Sequence, residues 1–312
     1  MVSIFEIKKA NDLLTIWFSK RFVEDRSNAC LFNGCTMRPI GSHSIAESKI
    51  LKRISVNNCV MYYTPAMEIS ERIITKVSVF GGFCNKHDAM FYPIDNNDYV
   101  QGNKEQEFLF FYRAFCRSFT TKTIMVNSYG KLISYIKKNE LGRINPYFNQ
   151  KGISSDLKLK LALYFKQVKE RQELILQDLC SFKKTLDHYY ATKRFDRIKS
   201  LIIEFDKEYG LAVGACSNIG ADFHGHRLVR DIPLSFTIFP QNGKTYTIFS
   251  FLKKHSNSLR FLDTELLNEP EERQKRIISY LIANSTDNWA FSPNIWNTFS
   301  NTTKKEFESL TE

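Results

Sequence analysis

No stretch of this chain approaches the roughly 20 consecutive apolar residues needed to cross a bilayer, so no membrane partner is expected. Nor does it open on the apolar stretch of a secretory signal. Glu6, Lys8, Lys9 and Asp12 stand there instead, and export is not expected. Cysteine is sparse: seven residues, an odd number, among 312. That spacing excludes a dense disulfide framework and predicts reduced thiols in a cytoplasmic setting, available to a metal. Internal repeats and low-complexity tracts are also missing. What remains is a soluble-protein composition, 43% apolar and rich in aromatics (26 Phe, 14 Tyr), with chain enough for two or three modules.

Charge is unevenly placed. Residues 1–100 carry 12 basic and 10 acidic side chains, residues 101–200 carry 20 and 9, and residues 201–312 carry 12 and 14. The whole net charge of +11 therefore lies in the middle third. A localised basic surface is what a binder of phosphate backbones presents, although helices with solvated lysines give the same tally.

The hydrophobic pattern divides the chain into the same thirds and predicts an α+β protein. Residues 1–100 read as a mixed module with helices over Phe5 to about Arg21 and Ile45 to Ile54. Strands are expected at Cys59–Thr64 and Ile73–Phe80, and a helix opening at Cys84. Ser44 and Glu47 have capping-box spacing. Residues 101–200 read as a basic helical segment. One helix covers Glu107–Phe119, and a long one runs from Asp156 to about Tyr189 with a heptad seam of Leu161, Phe165, Val168, Gln172, Ile175, Leu179, Phe182 and Leu186. Such a seam closes either a hairpin within the chain or a homodimer. Residues 201–312 read as a β-rich domain: strands near Leu201–Phe205, Leu211–Ala215, Leu234–Phe239 and Thr245–Phe251, an Asn242-Gly243 hairpin turn, a helix over Glu271–Ala283, and a packed tail around Trp289 and Trp296.

The chemistry concentrates in two close pairs. Cys30 and Cys35 flank a turn containing Gly34, and Cys84 and His87 follow Gly81-Gly82. Thiolates and an imidazole in two tight knuckles are a ligand set for structural Zn2+. The module thus reads as treble-clef-like, enlarged by an insertion. Cys59, Cys116, Cys180 and Cys216 read as buried reduced thiols, although Cys59, lying between the knuckles, could replace a ligand. His224 and His226 form a His-x-His without an obvious third ligand. Two further residues adjoin the knuckles. His43 could take a proton from water, or hydrogen-bond a turn. Asp88 could hold a divalent cation, or cap the following helix.

Residues about 28–95 resemble the zinc-scaffolded branch of the HNH, or His-Me finger, endonucleases. By that resemblance Cys30, Cys35, Cys84 and His87 hold zinc, His43 is the general base, and Asp88 binds the catalytic Mg2+ or Mn2+. The chain is also similar to a group of bacterial proteins marked by a GSHSI step (Gly41–Ile45), a GFCxxHD knuckle (Gly82–Asp88) and a YRA helix (Tyr112–Ala114), a likeness that brings no activity with it. The expected function is cleavage of DNA or RNA, with Arg113 and Arg117 on the phosphates; nucleases of this type often serve in phage defence. The alternatives are a zinc module that binds nucleic acid without cutting and a protein-interaction scaffold built on the heptad helix.

Overall fold

The computed structural model describes Trp17 and residues 29–63, 69–145, 155–286 and 288–310. Apart from Trp17, which is helical, the expected helix over Phe5–Arg21 lies outside the described residues. The chain forms two compact units that do not follow the thirds: one contains residues 28–118 and 185–312, the other residues 1–27 and 119–184.

The first unit is organised by one sheet. In chain order its elements are β1 (Ser42–His43), a helical stretch α1 (Glu47–Leu51 continuing as Lys52–Ile54), β2 (Cys59–Tyr63), β3 (Ile69–Ile73), β4 (Val79–Phe80) and α2 (Asn85–Asp88). A turn of helix at Tyr92–Asp95 leads into α3 (Lys104–Lys137), and α4 (Ser155–Ala191) leads into β5 (Ile198–Phe205). Then follow β6 (Leu211–Ala221), β7 (Arg227–Gln241), β8 (Lys244–Leu252), α5 (Glu271–Ser285) and β9 (Trp289–Phe291). The strands order as β3-β2-β9-β6-β7-β8-β5, every neighbour antiparallel. On one face, Leu201, Ile203, Val213, Phe236 and Phe249 meet Leu281 and Ile282 of α5. On the other, Phe239 stacks on Phe110 of α3 at 5.3 Å. Cover on both faces explains why β7 is buried without interruption from residue 232 to 241 rather than alternating.

Two predicted features of this sheet hold and two change. Asn242 and Gly243 have φ of 53° and 81°, the paired positive values that a tight β7–β8 turn needs. The strands of residues 201–252 form, longer than the apolar runs suggested. The expected strand Ile73–Phe80 is instead split between β3 and β4, because a helical turn at Ile74–Lys76 and a left-handed Ser78 (φ 62°) interrupt it. The tail does more than pack. β9 is the rung that joins β2 of the first third to β6 of the last, pairing Tyr62 with Ala290 and Ala290 with Ala212. The expected boundaries at 100 and 200 therefore do not separate domains, and the first hundred residues are not a free-standing module.

The second unit is a helical hairpin. Ile124, Ser128, Leu132 and Ile136 form one buried i+4 row, which extends α3 well past the expected end at Phe119. Leu132, Ile136, Leu141 and Phe165 form its core, with Trp17, Tyr129 and Leu161 against it. Every position of the heptad seam from Leu161 to Leu186 is half-buried or buried. Its polar member, Gln172, accepts a hydrogen bond from Lys122 Nζ at 2.7 Å. The seam is thus used within the chain, and a homodimer is not needed to cover it. Residues 119–184 carry 13 of the basic side chains against 5 acidic ones, so the charge excess belongs mainly to this hairpin.

Trp289 is fully buried and stacks on Tyr63 at 5.6 Å. Trp289→Ala should lower the unfolding free energy of the sheet-bearing unit by about 3–5 kcal/mol. Denaturant titration followed by far-ultraviolet circular dichroism measures the loss.

Candidate metal centre

Two short turns build the centre. Cys35 N–H donates to the Phe32 carbonyl at 3.0 Å, closing the first turn, and Gly34 takes the left-handed φ of 76° that the closure requires. Cys30 N–H donates to Met37 O, and Leu31 N–H to Gly82 O at 2.8 Å, which ties the first knuckle to the second. A Cβ at Gly82 would strike the Phe80 ring and come within 3.2 Å of Leu31 Cδ1, so the second knuckle needs glycine for this approach. Cys84 is extended and starts α2, its carbonyl accepting from the amides of His87 and Asp88.

The ligand atoms of Cys30, Cys35, Cys84 and His87 lie within 4.8 Å of one another. A tetrahedral zinc about 2.3 Å from sulfur and about 2.0 Å from nitrogen sets edges of about 3.8 Å between sulfurs and about 3.5 Å between sulfur and nitrogen. Here Cys35 Sγ is 3.9 Å from Cys84 Sγ. His87 Nδ1 is 3.5 Å from Cys30 Sγ and 3.3 Å from Cys84 Sγ. The donor set and its spacing therefore suit a structural zinc, with His87 presenting Nδ1. Phe32 lies flat on the His87 ring, 4.0 Å between centroids, and holds its orientation.

The electrostatics prepare two of the ligands. Burial opposes the Cys84 thiolate, but hydrogen bonds from the His87 and Lys86 amides and the Cys30 and Cys35 thiols outweigh it and bring its pKa below the usual thiol value. Burial, helped by the Lys86 charge, lowers the His87 pKa and favours the neutral ring that binds metal. Burial raises the Cys30 pKa, against the amides of Cys84 and Phe32. The other four cysteines stand outside the cluster, Cys116 and Cys216 buried and Cys59 and Cys180 half-buried.

Beside the cluster lies a second group of polar side chains. β1 and β4 pair antiparallel, Ser42 with Phe80 and His43 with Val79. The segment between them leaves to form α1, β2 and β3 and returns at Ser78, where Ser44 N–H donates to Ser78 O at 2.9 Å. This return brings Asp88 within reach of the Ser42 hydroxyl and of the His43 charge despite their separation in sequence. Burial raises the Asp88 carboxyl pKa; the Ser42 hydroxyl, Arg113 and His43 pull it down, and Asp95 pushes it up. Glu47 Oε2 stands 3.1 Å from His43 Nε2, a close contact without hydrogen-bond alignment.

Several expectations change here. Glu47 and Ser44 do not form a capping box: α1 has no side-chain cap, because Glu47 faces His43 and Ser44 Oγ bonds to Ser78. Arg113 and Arg117 are 2% and 9% exposed, which removes them as surface contacts for a nucleic-acid backbone. Arg113 Nη1 donates to Asp95 at 2.6 Å, and its guanidinium lies over the Phe91 ring. Asp222 binds the His226 ring and the amides of both His224 and His226, while His224 contacts Glu265. Among the described residues, that pair joins no three-ligand cluster. Sequence reasoning missed Glu47 as the partner of His43 and Asp95 as the partner of Arg113. The i,i+4 spacing of His43 and Glu47 was the one available signal for the first.

Cys84→Ser and His87→Ala should each drop bound zinc well below the about one equivalent per chain of a four-ligand site, whereas Cys216→Ser should retain it. Metal analysis by mass spectrometry of the purified variants decides this. No family model, curated protein or solved structure matches the chain, so geometry alone carries the functional reading.

Proposed function

We propose that this chain is a metal-dependent nuclease of the HNH, or His-Me finger, type, cutting phosphodiester bonds in DNA or RNA. The observation that supports this reading is the order and placement of its parts. A Cys-Cys knuckle is followed by two antiparallel strands, β1 and β4, and then by α2, whose start supplies the other two ligands. We read this order as a treble-clef-like ββα arrangement, with His43 on the first strand and Asp88 in the helix.

In this reading the zinc is structural and orders the knuckles. Asp88 would hold Mg2+ or Mn2+, an ion that would supply polarisation of a phosphoryl oxygen and stabilisation of the leaving alkoxide. A single carboxylate fits such an ion, because magnesium commonly keeps waters and takes substrate oxygens beside one or two protein ligands. Its half-buried position and raised pKa fit a carboxyl close to a partly dry site. His43 takes the proton from the attacking water; with Glu47 beside Nε2, the accepting atom is Nδ1. Arg113 supports the group from within the protein, its charge felt by Asp88 while its Nη1 holds Asp95. Contact with the nucleic-acid backbone passes to exposed side chains of the hairpin unit such as Lys137, Lys138, Arg143, Arg171 and Lys184.

The test is cleavage of plasmid DNA and structured RNA with Mg2+ or Mn2+. His43→Ala should lower the rate by about 10²- to 10⁴-fold, the usual contribution of a general base, with zinc content unchanged. Asp88→Asn should raise the metal concentration needed for half-maximal rate. Equal cleavage by the wild type and a zinc-loaded His43→Ala protein would remove His43 from the mechanism. No cleavage by either, together with salt-dependent binding, would identify a module that binds without cutting.

A further inference from the structure

The strand that carries His43 is very short. β1 and β4 pair over two residues each, too little ladder to hold its own register. A slip of one residue would turn His43 to the opposite face. Something outside the ladder must fix it, and a residue from the far end of the chain is in place to do so.

Asn288 is fully buried, and its side-chain amide is satisfied on both sides. Its Oδ1 accepts from Tyr62 OH at 3.0 Å. Its Nδ2 donates to the Gly214 carbonyl at 2.6 Å and to Ser44 Oγ at 2.8 Å. The Gly214 carbonyl can only accept, which fixes which end of the amide faces it. Ser44 Oγ bonds in turn to Ser78 Oγ, and Ser78 Oγ accepts from the Ile45 amide at 3.0 Å. Ser44 and Ser78 follow and precede the His43–Val79 pair directly, so this relay adds side-chain bonds beside the one backbone bond, Ser44 N–H to Ser78 O, that continues the ladder.

The surrounding backbone leaves little freedom. A Cβ on Gly214 would lie 2.9 Å from Ile45 Cγ1 and 3.0 Å from the Ser44 carbonyl oxygen, so the end of β1 rests directly on β6. Gly214 N–H also donates to the Asn288 carbonyl.

We infer that Asn288 is a positioning residue for His43: through Ser44 and Ser78 it anchors the end of β1 to the central sheet and sets where the imidazole stands beside Asp88. The catalytic meaning of that position rests on the nuclease reading above. The position requires an amide in particular. Asp would present a carboxylate oxygen to the Gly214 carbonyl and lose the N–H that binds Ser44, and Ala would leave the Gly214 carbonyl and the Tyr62 hydroxyl without this partner.

The test compares zinc-loaded wild type with Asn288→Asp, Ser44→Ala and, as a control that keeps both Nδ2 bonds, Tyr62→Phe. Hydrogen exchange should quicken about tenfold or more at the amides of positions 44 and 45 in the first two variants, with little change in Tyr62→Phe or at the α2 amides. In cleavage assays the first two should lower kcat with KM for nucleic acid unchanged, since the hairpin surface is untouched. Ser44→Ala keeps the result readable if Asn288→Asp does not fold. Unchanged exchange at positions 44 and 45 in folded variants overturns the inference, whatever the activity. Faster exchange in a protein whose wild type never cuts sustains the anchor and overturns the nuclease reading instead.

Discussion

The convergence of three thiols and one imidazole, with ligand atoms within 4.8 Å, is the constraint on which the N-terminal part of this structure depends. Residues 29–41 contain no strand or helix, and backbone bonds from Leu31 to Gly82 and from Ile40 to Phe83 tie them to the second knuckle. Thiolates at these separations repel one another unless a cation stands among them. A bound metal would therefore supply the ordering that this stretch does not draw from secondary structure. The consequence reaches beyond the ligands, because the tie to Gly82 and Phe83 sets the approach of β4 and the start of α2, and with them the place of Asp88.

A second constraint meets the first at His43. The segment between β1 and β4 is committed to a sheet completed by the last strand of the chain: β2 pairs locally with β3 and finds its second neighbour only when β9 is in place. The metal centre holds β4 and α2 from one side, and the sheet holds the end of β1 from the other through Asn288, Ser44 and Gly214. The polar group of His43, Glu47, Asp88, Asp95 and Arg113 lies where these two supports meet. Long sequence separations here follow from topology: the insertion is anchored elsewhere and returns to its starting point.

What could be read from the sequence was local. Close pairs of ligands, an Asn-Gly turn and a heptad seam state their geometry within a few residues, and each is where the spacing placed it. Pairings between distant segments left no such trace. Trp289-Ala290-Phe291 is too short and too apolar to be told from a packed tail, yet it is the rung between β2 and β6. Arg113 and Arg117 looked like surface charge because helical spacing shows which residues share a face and not whether a sheet covers it. Their burial emerges only once α3 is laid on β7 and Asp95 is brought to Arg113. Ser44 and Glu47 fit a capping box by spacing, but the competing partners, Ser78 and His43, are supplied by the return of the insertion and by the strand before the helix.

X-ray absorption at the zinc edge of the purified protein tests the central claim most directly. Three sulfurs at about 2.3 Å and one nitrogen at about 2.0 Å around each metal are the expected shell for Cys30, Cys35, Cys84 and His87. A protein that folds without metal, or a shell dominated by oxygen and nitrogen, would contradict the account, because the knuckles would then be held by some other force.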